Sequence, residues 1–150
     1  MTDFDAGVNS ANSSGNIAIG TSAMGGTVAN TASNDNIAIG RNTMAAALDG
    51  ALYNIAIGVT SLNDLTTGDK NVSIGNNALQ KLTTGEGNVA IGYDAGGDGG
   101  NAALTGGGNT LIGNGAGSNL EGAGHSNTFI GGVAGNVTTT GVENTTLGYK

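Results

Sequence analysis

The chain has 150 residues, a formal charge of −7, 30 Gly, and neither Pro nor Cys. Gly therefore occurs at nearly three times its usual frequency of roughly 7%, while charged and aromatic residues fall to 10% and 3%. The missing Cys excludes a disulfide framework and a thiolate metal site, and the negative charge argues against nucleic acid or an anionic lipid surface as partner.

Residues 1–15 read as an N-terminal lead-in. Met1-Thr2-Asp3-Phe4-Asp5 has no basic segment and no apolar run, so it is not read as a secretory signal. No stretch of the chain approaches the 18 or more apolar residues that a membrane-spanning helix needs.

From residue 16 to residue 148 one pentapeptide recurs. Asn16-Ile17-Ala18-Ile19-Gly20 is repeated unchanged at Asn36–Gly40 and Asn54–Gly58. Asn71-Val72-Ser73-Ile74-Gly75 and Asn88-Val89-Ala90-Ile91-Gly92 follow. Asn109-Thr110-Leu111-Ile112-Gly113, Asn127-Thr128-Phe129-Ile130-Gly131 and Asn144-Thr145-Thr146-Leu147-Gly148 complete the series. Successive Asn residues lie 20, 18, 17, 17, 21, 18 and 17 positions apart, so the unit is 17 residues with small insertions. Tyr149-Lys150 reads as the start of a further, truncated unit.

Three and four residues after each Gly comes a second block, Ala23-Met24, Thr43-Met44, Ser61-Leu62 and Ala78-Leu79, then Ala95-Gly96, Ala116-Gly117 and Ala134-Gly135. A third block, Leu65-Thr66-Thr67-Gly68, recurs at Leu82–Gly85 and loosely at Thr138–Gly141. Each unit thus reads as strand, Gly turn, short strand and Leu-Thr-Thr-Gly return. Seventeen residues are too few for a helix-pair repeat, and the pentapeptide alternates with period two, as a strand does. The predicted architecture is all-β: a parallel β-solenoid with one 17–21-residue repeat per coil. At about 4.8 Å per coil, eight coils span roughly 40 Å.

The two faces of the strand carry different predictions. Ile19, Ile39, Ile57, Ile74, Ile91, Ile112, Ile130 and Leu147 form the strongest aliphatic rank and are predicted to stack into the core. Ala18, Ala38, Ala56, Ser73 and Ala90 lie on the other face, followed by Leu111 and Phe129. A rank of Ala where a solvent face would carry long polar residues suggests close approach of another backbone. It is predicted to be the inter-chain face of a parallel homo-oligomer, widening toward Leu111 and Phe129. The Asn rank is predicted to be structural, its amides bonding coil to coil as in cross-β ladders. The Gly after each strand marks a corner, where either a positive φ or a close approach requires it.

These repeats resemble the head repeats of trimeric autotransporter adhesins of the YadA-like type. Gly15-Asn16-Ile17-Ala18-Ile19-Gly20 and Gly87-Asn88-Val89-Ala90-Ile91-Gly92 carry that likeness. They resemble still more the repeats of bacteriophage tail fibres, through Asn71 to Gly85 and Asn88 to Tyr93. The resemblance implies a left-handed parallel β-roll, three chains side by side, and a role in attachment to a host or surface. It also implies a location in a virion tail or at the cell surface. The partner so implied, besides further copies of the chain, is a host-surface receptor or glycan.

No catalytic, cofactor or metal residue is assigned. His125 is the only His, and the aliphatic-Gly signal appears once per coil rather than on three faces, which argues against a hexapeptide acyltransferase. The stretch Gly106–Gly113 echoes a Ca²⁺-binding nonapeptide but lacks its Asp. The Gly96–Gly108 stretch lacks the Lys and Ser/Thr of a phosphate-cradling loop. Acidic residues are scattered rather than paired for glycoside hydrolysis. The predicted function is a structural fibre or adhesin segment rather than an enzyme. A receptor-binding tip using the loops Asp94–Leu104 or Gly115–Ser126, and an ice- or Ca²⁺-binding solenoid, are the alternatives.

Overall fold

A computed structural model describes residues 13–26, 31–97 and 102–149. Most of the lead-in therefore lies outside the described residues, as does part of the Asp94–Leu104 loop. The eight pentapeptides form eight three-residue strands: β1 Ile17–Ile19, β2 Ile37–Ile39, β3 Ile55–Ile57, β4 Val72–Ile74, β5 Val89–Ile91, β6 Thr110–Ile112, β7 Thr128–Ile130 and β8 Thr145–Leu147. They pair in chain order as one parallel sheet, β1 through β8. The register never slips, Ala18 facing Ala38, Ala38 facing Ala56, and so on to Phe129 facing Thr146. The chain is an all-β parallel solenoid of about seven turns, with no helix among the described residues.

The rest of each coil is turn rather than a second regular strand. Residues two and four positions after the strand-ending Gly sit in the left-handed region, as at Asn77 (φ 58°) and Leu79 (φ 46°) or Thr60 (φ 57°) and Leu62 (φ 49°). A residue held at positive φ cannot continue an extended ladder, so the short strand expected at the second block is absent. A further left-handed position precedes the Asn, at Asp35, Tyr53, Lys70, Ser126 and Glu143. On the return leg only isolated bridges form, Leu82 with Leu104 and Leu104 with Gly122.

The Gly after each strand meets both demands that its position raised. Gly40, Gly58, Gly75, Gly92, Gly113 and Gly131 have φ between 130° and 140°. A Cβ at any of them would also strike the carbonyl of the equivalent Gly in the next coil. The coils can approach to ladder distance at this corner because no side chain is there.

The two faces of the strand are the reverse of the prediction. Ala38, Ala56, Ser73, Ala90, Leu111 and Phe129 are fully buried inside the coil, and Ala18 packs against the same cluster. Ile19, Ile57, Ile74 and Ile91 point outward and are 36–42% exposed. Ile39, Ile112 and Ile130 are half-buried beside them, and Leu147 is 72% exposed. The reason is volume. The lumen is already filled from the turns by Met24, Met44, Leu62 and Leu79, and from the return leg by Leu48, Leu65, Leu82, Leu104 and Leu120. A coil this small has room for only a methyl on the strand side.

The C-terminal coils confirm that volume rule by exchanging the two partners. In four coils where the strand supplies Ala or Ser, the residue six positions on is Met or Leu: Ala18 with Met24, Ala38 with Met44, Ala56 with Leu62, Ser73 with Leu79. Ala90 is instead followed by Gly96, whose side-chain space is taken by Leu111 of the next coil, 2.5 Å from an added Cβ. Where the strand supplies Leu111 or Phe129, the residue six positions on is Gly117 or Gly135. A Cβ on Gly117 would lie 2.9 Å from Leu111 Cδ2, and one on Gly135 would strike the Phe129 ring. The expected widening of an inter-chain contact at Leu111 and Phe129 is thus corrected to an internal exchange of large and small residues. The glycines also relieve the left-handed conformation at these positions (φ 60° and 66°), which Leu and Met adopt only at a cost.

Candidate interaction surface

Two ranks define what the solenoid holds inside and what it shows. The inner one is the Asn ladder. Asn71 donates its backbone N–H and its Nδ2 to Asn54 Oδ1, at 2.9 and 3.0 Å, and its Nδ2 also reaches Gly85 O at 2.9 Å. Asn88, Asn109 and Asn127 repeat the arrangement on the preceding Asn. The six Asn residues from Asn36 to Asn127 are fully buried. Every oxygen is used twice along the ladder, so these amides are structural and not free to hold a ligand. The Ser61–Ser73 hydroxyl pair, 2.7 Å apart, is likewise satisfied, with Ser73 Oγ donating to Ala78 O.

The outer rank pair is the outward face of the β-sheet. Each strand presents its first and third residues there, which makes sixteen positions on eight strands. The third positions are the Ile rank ending at Leu147. The first are Ile17, Ile37, Ile55, Val72 and Val89, then Thr110, Thr128 and Thr145. Eight apolar residues from one rank and five from the other line a strip with no charged strand residue in it. Because the register is exact from coil to coil, the strip is continuous along the rod. A contiguous outward apolar strip of this kind marks an interaction site. The carboxylates lie elsewhere, on turns and returns, where Asp49 accepts the Thr31 N–H, Asp69 the Leu52 N–H, and Asp64 pairs with Lys81 at 3.4 Å.

The described residues show no pocket and no group of three or more His, Asp or Glu placed to hold a metal ion. His125 is exposed, its Nδ1 3.2 Å from Ser126 Oγ, and no acid stands behind it in a hydrogen bond. Among the described residues no helix is long and apolar enough to cross a membrane. The residue pattern singled out the aliphatic rank correctly as the dominant feature of the strand but placed it on the wrong side of the wall. The signal that separates the sides is parity: Ala lies two residues after Asn, so both point the same way. A ladder of amides bonding one another is stable where water is excluded.

No family model, no curated protein and no solved structure matches the chain.

Proposed function

We propose that this protein is a structural fibre or adhesin segment, of the kind found in the shaft or head of a phage-like tail fibre, and that it works as a side-by-side homotrimer. The observation that carries the reading is the apolar strip on the sheet. Thirteen aliphatic positions aligned on a narrow rod leave a monomer with a poorly hydrated wall. Other copies of the same rod, in the same direction, bring matching strips together. The left-handed roll and the count of three come from the sequence resemblance to tail fibres and YadA-like heads. The contact is made by Ile and Val, not by the Ala rank, which belongs inside the coil.

The mechanism is mechanical. A stiff rod holds many weak surface contacts in fixed relative positions, and their effective concentration multiplies the affinity for a receptor or glycan at a host surface. Such a role needs no cavity, no catalytic pair and no bound ion.

The test is the solution mass across a dilution series, measured on the parent chain and on Ile39→Arg/Ile57→Arg. The parent is expected near three times 14.4 kDa, and the double variant near 14.4 kDa with an unchanged circular dichroism spectrum. By contrast, Ala56→Arg puts a charge into the lumen and is expected to unfold the coil. A parent chain that is monomeric at every concentration, or an Arg variant that keeps the full mass, removes the side-by-side reading. Ice-surface binding by the outward β-branched array would then be the next assay.

A further inference from the structure

The apolar strip on the sheet has two unlike edges. One edge is the rank of residues just before each Asn, and the other is the rank just after each strand-ending Gly. Both ranks keep the register of the strands. On the first, the Lys70 N–H donates to Leu52 O and the Gly87 N–H to Asp69 O. On the second, Arg41 O accepts the Thr60 N–H and Val59 O the Asn77 N–H. At each coil the two edges therefore lie level with one another, on either side of the outward Ile and Val residues. At the coil of β2 the first edge carries Asp35 and the second Arg41, both exposed. Neither the carboxylate nor the guanidinium has a hydrogen-bond or ion-pair partner among the described residues. They do not meet within one chain, because residues 36–40 hold their Cα atoms on the order of 15–20 Å apart.

The complementarity extends to size. At the coil of β5 the second edge carries Tyr93, 54% exposed, and the first carries Gly87, where an added Cβ would meet nothing within 4 Å. At the coil of β3 the first edge carries Tyr53, 55% exposed, and the second the smaller, half-buried Val59. Acid is answered by base, and large by small, at equal height. Slipping one edge past the other removes the match. A slip of two coils sets Arg41 against Lys70 in one direction. In the other it sets Tyr53 against Tyr93, two rings where one ring and one Gly had met. Turning a rod end for end sets like edge against like edge, and the second edge holds no acid to face Arg41.

We propose that copies of the chain meet parallel and level, with the Asp35 edge of one copy seated against the Arg41 edge of the next. Asp35 of the first copy pairs with Arg41 of the second, and Tyr93 of the second covers the open surface at Gly87 of the first. The occupant is another copy because the two edges match each other, coil by coil, in charge and in size. Unlike edges meeting at every contact make a heterologous arrangement, which closes into a ring without axial slip. The inference rests on the side-by-side reading and adds to it the direction, the register and the order of the edges. An exposed ion pair adds little affinity. Its effect is on specificity, against slipped and reversed packings. The Ile and Val ranks repeat nearly unchanged from coil to coil and do not select a register by themselves.

The experiment compares the solution mass of the parent chain, Arg41→Glu, Asp35→Lys and the exchange Asp35→Lys/Arg41→Glu over one dilution series. A Lys at position 35 needs only the left-handed backbone that Lys70 already adopts at the equivalent position (φ 56°). Each single reversal sets like charges face to face. It is expected to weaken association at least tenfold in about 0.1 M salt and much less in about 1 M salt, where the Debye length falls from about 10 Å to about 3 Å. The exchange restores opposite charges across every contact and is expected to return to the parent's affinity. Because the chain has no Cys, thiols can report the register directly. A short thiol-to-thiol cross-linker is expected to join copies of Asp35→Cys/Arg41→Cys. It is expected to leave Asp35→Cys/Asn114→Cys unjoined, since those edges are offset by four coils, roughly 19 Å at about 4.8 Å per coil. A parent that is monomeric throughout removes the side-by-side reading and this inference with it. Where the parent assembles, three results overturn the level, parallel register alone and leave side-by-side packing standing. They are single reversals that keep the parent's affinity, an exchange that fails to recover it, and a level Cys pair that joins no better than the offset one.

Discussion

The exchange of large and small residues inside the coil gives a double-mutant cycle with a definite sign. Phe129 is fully buried and Gly135 lies against its ring. Phe129→Ala removes the aromatic volume and leaves a cavity in a lumen that cannot collapse, because the strand is held by neighbours above and below. A loss of about 3–5 kcal/mol is expected. Gly135→Leu places a side chain where its Cβ already strikes the Phe129 ring. Overpacking of about 1–3 kcal/mol then adds to a left-handed backbone cost of about 1–2 kcal/mol. The double variant, Phe129→Ala with Gly135→Leu, recreates the pairing that Ala56 and Leu62 make, in which Leu62 also has positive φ (49°). Only the backbone cost should remain, so the double variant is expected to lie about 1–2 kcal/mol below the parent. That is several kcal/mol better than the sum of the single changes. Urea unfolding followed by circular dichroism, with amide hydrogen exchange of the Ala116–Ala134 coil as a local probe, measures the cycle. If the double variant loses as much as the two singles added together, the strand residue and the turn residue do not share one volume, and the account of which face is inside fails with it.

Two further outcomes follow from the ladder and the corner. Asn88→Leu strips the Asn109 N–H and Nδ2 of their shared acceptor and leaves Gly106 O and Asn71 Oδ1 short of a donor. A buried unmade hydrogen bond costs about 1–3 kcal/mol, so thermal unfolding should shift down by several degrees or more, with the largest gain in amide exchange at the coils on either side of residue 88. An unchanged melting temperature shows that the ladder contributes nothing net. Gly75→Ala puts a methyl into the Gly92 carbonyl at φ 140°. It is expected to disrupt pairing of β4 with β5, whereas Gly87→Ala, with open space around the added Cβ, should cost only the left-handed strain of its φ of 69°. Equal losses at the two glycines, read by denaturant titration, contradict the steric explanation of the corner.

The candidate surface was half legible. That Asn-aliphatic-small-aliphatic-Gly forms a strand, that its copies stack in register, and that the Asn rank is structural all follow from period and spacing. The period of two also separates Ile17 and Ile19 from Asn16 and Ala18 without ambiguity. It does not say which set is inside, because alternation is unchanged when a wall is turned over. Hydrophobicity pointed to the Ile rank, since large aliphatic residues usually fill cores.

Closure of the coil decided otherwise. Once the turn and return legs bring Leu62 and Leu65 into the lumen of one coil, and Leu79 and Leu82 into that of the next, the remaining space admits the methyl of Ala56 or the hydroxyl of Ser73. The same closure explains why Leu111 and Phe129 are answered by Gly117 and Gly135, a compensation visible in the letters but meaningless until those residues are known to face each other. The sequence alone therefore determined the repeat, the strand and its two faces. Only the tertiary structure determined which face is core and which is surface, because that choice depends on volume summed across a coil, and the shared parity of Ala and Asn becomes informative only once the Asn ladder is known to be buried.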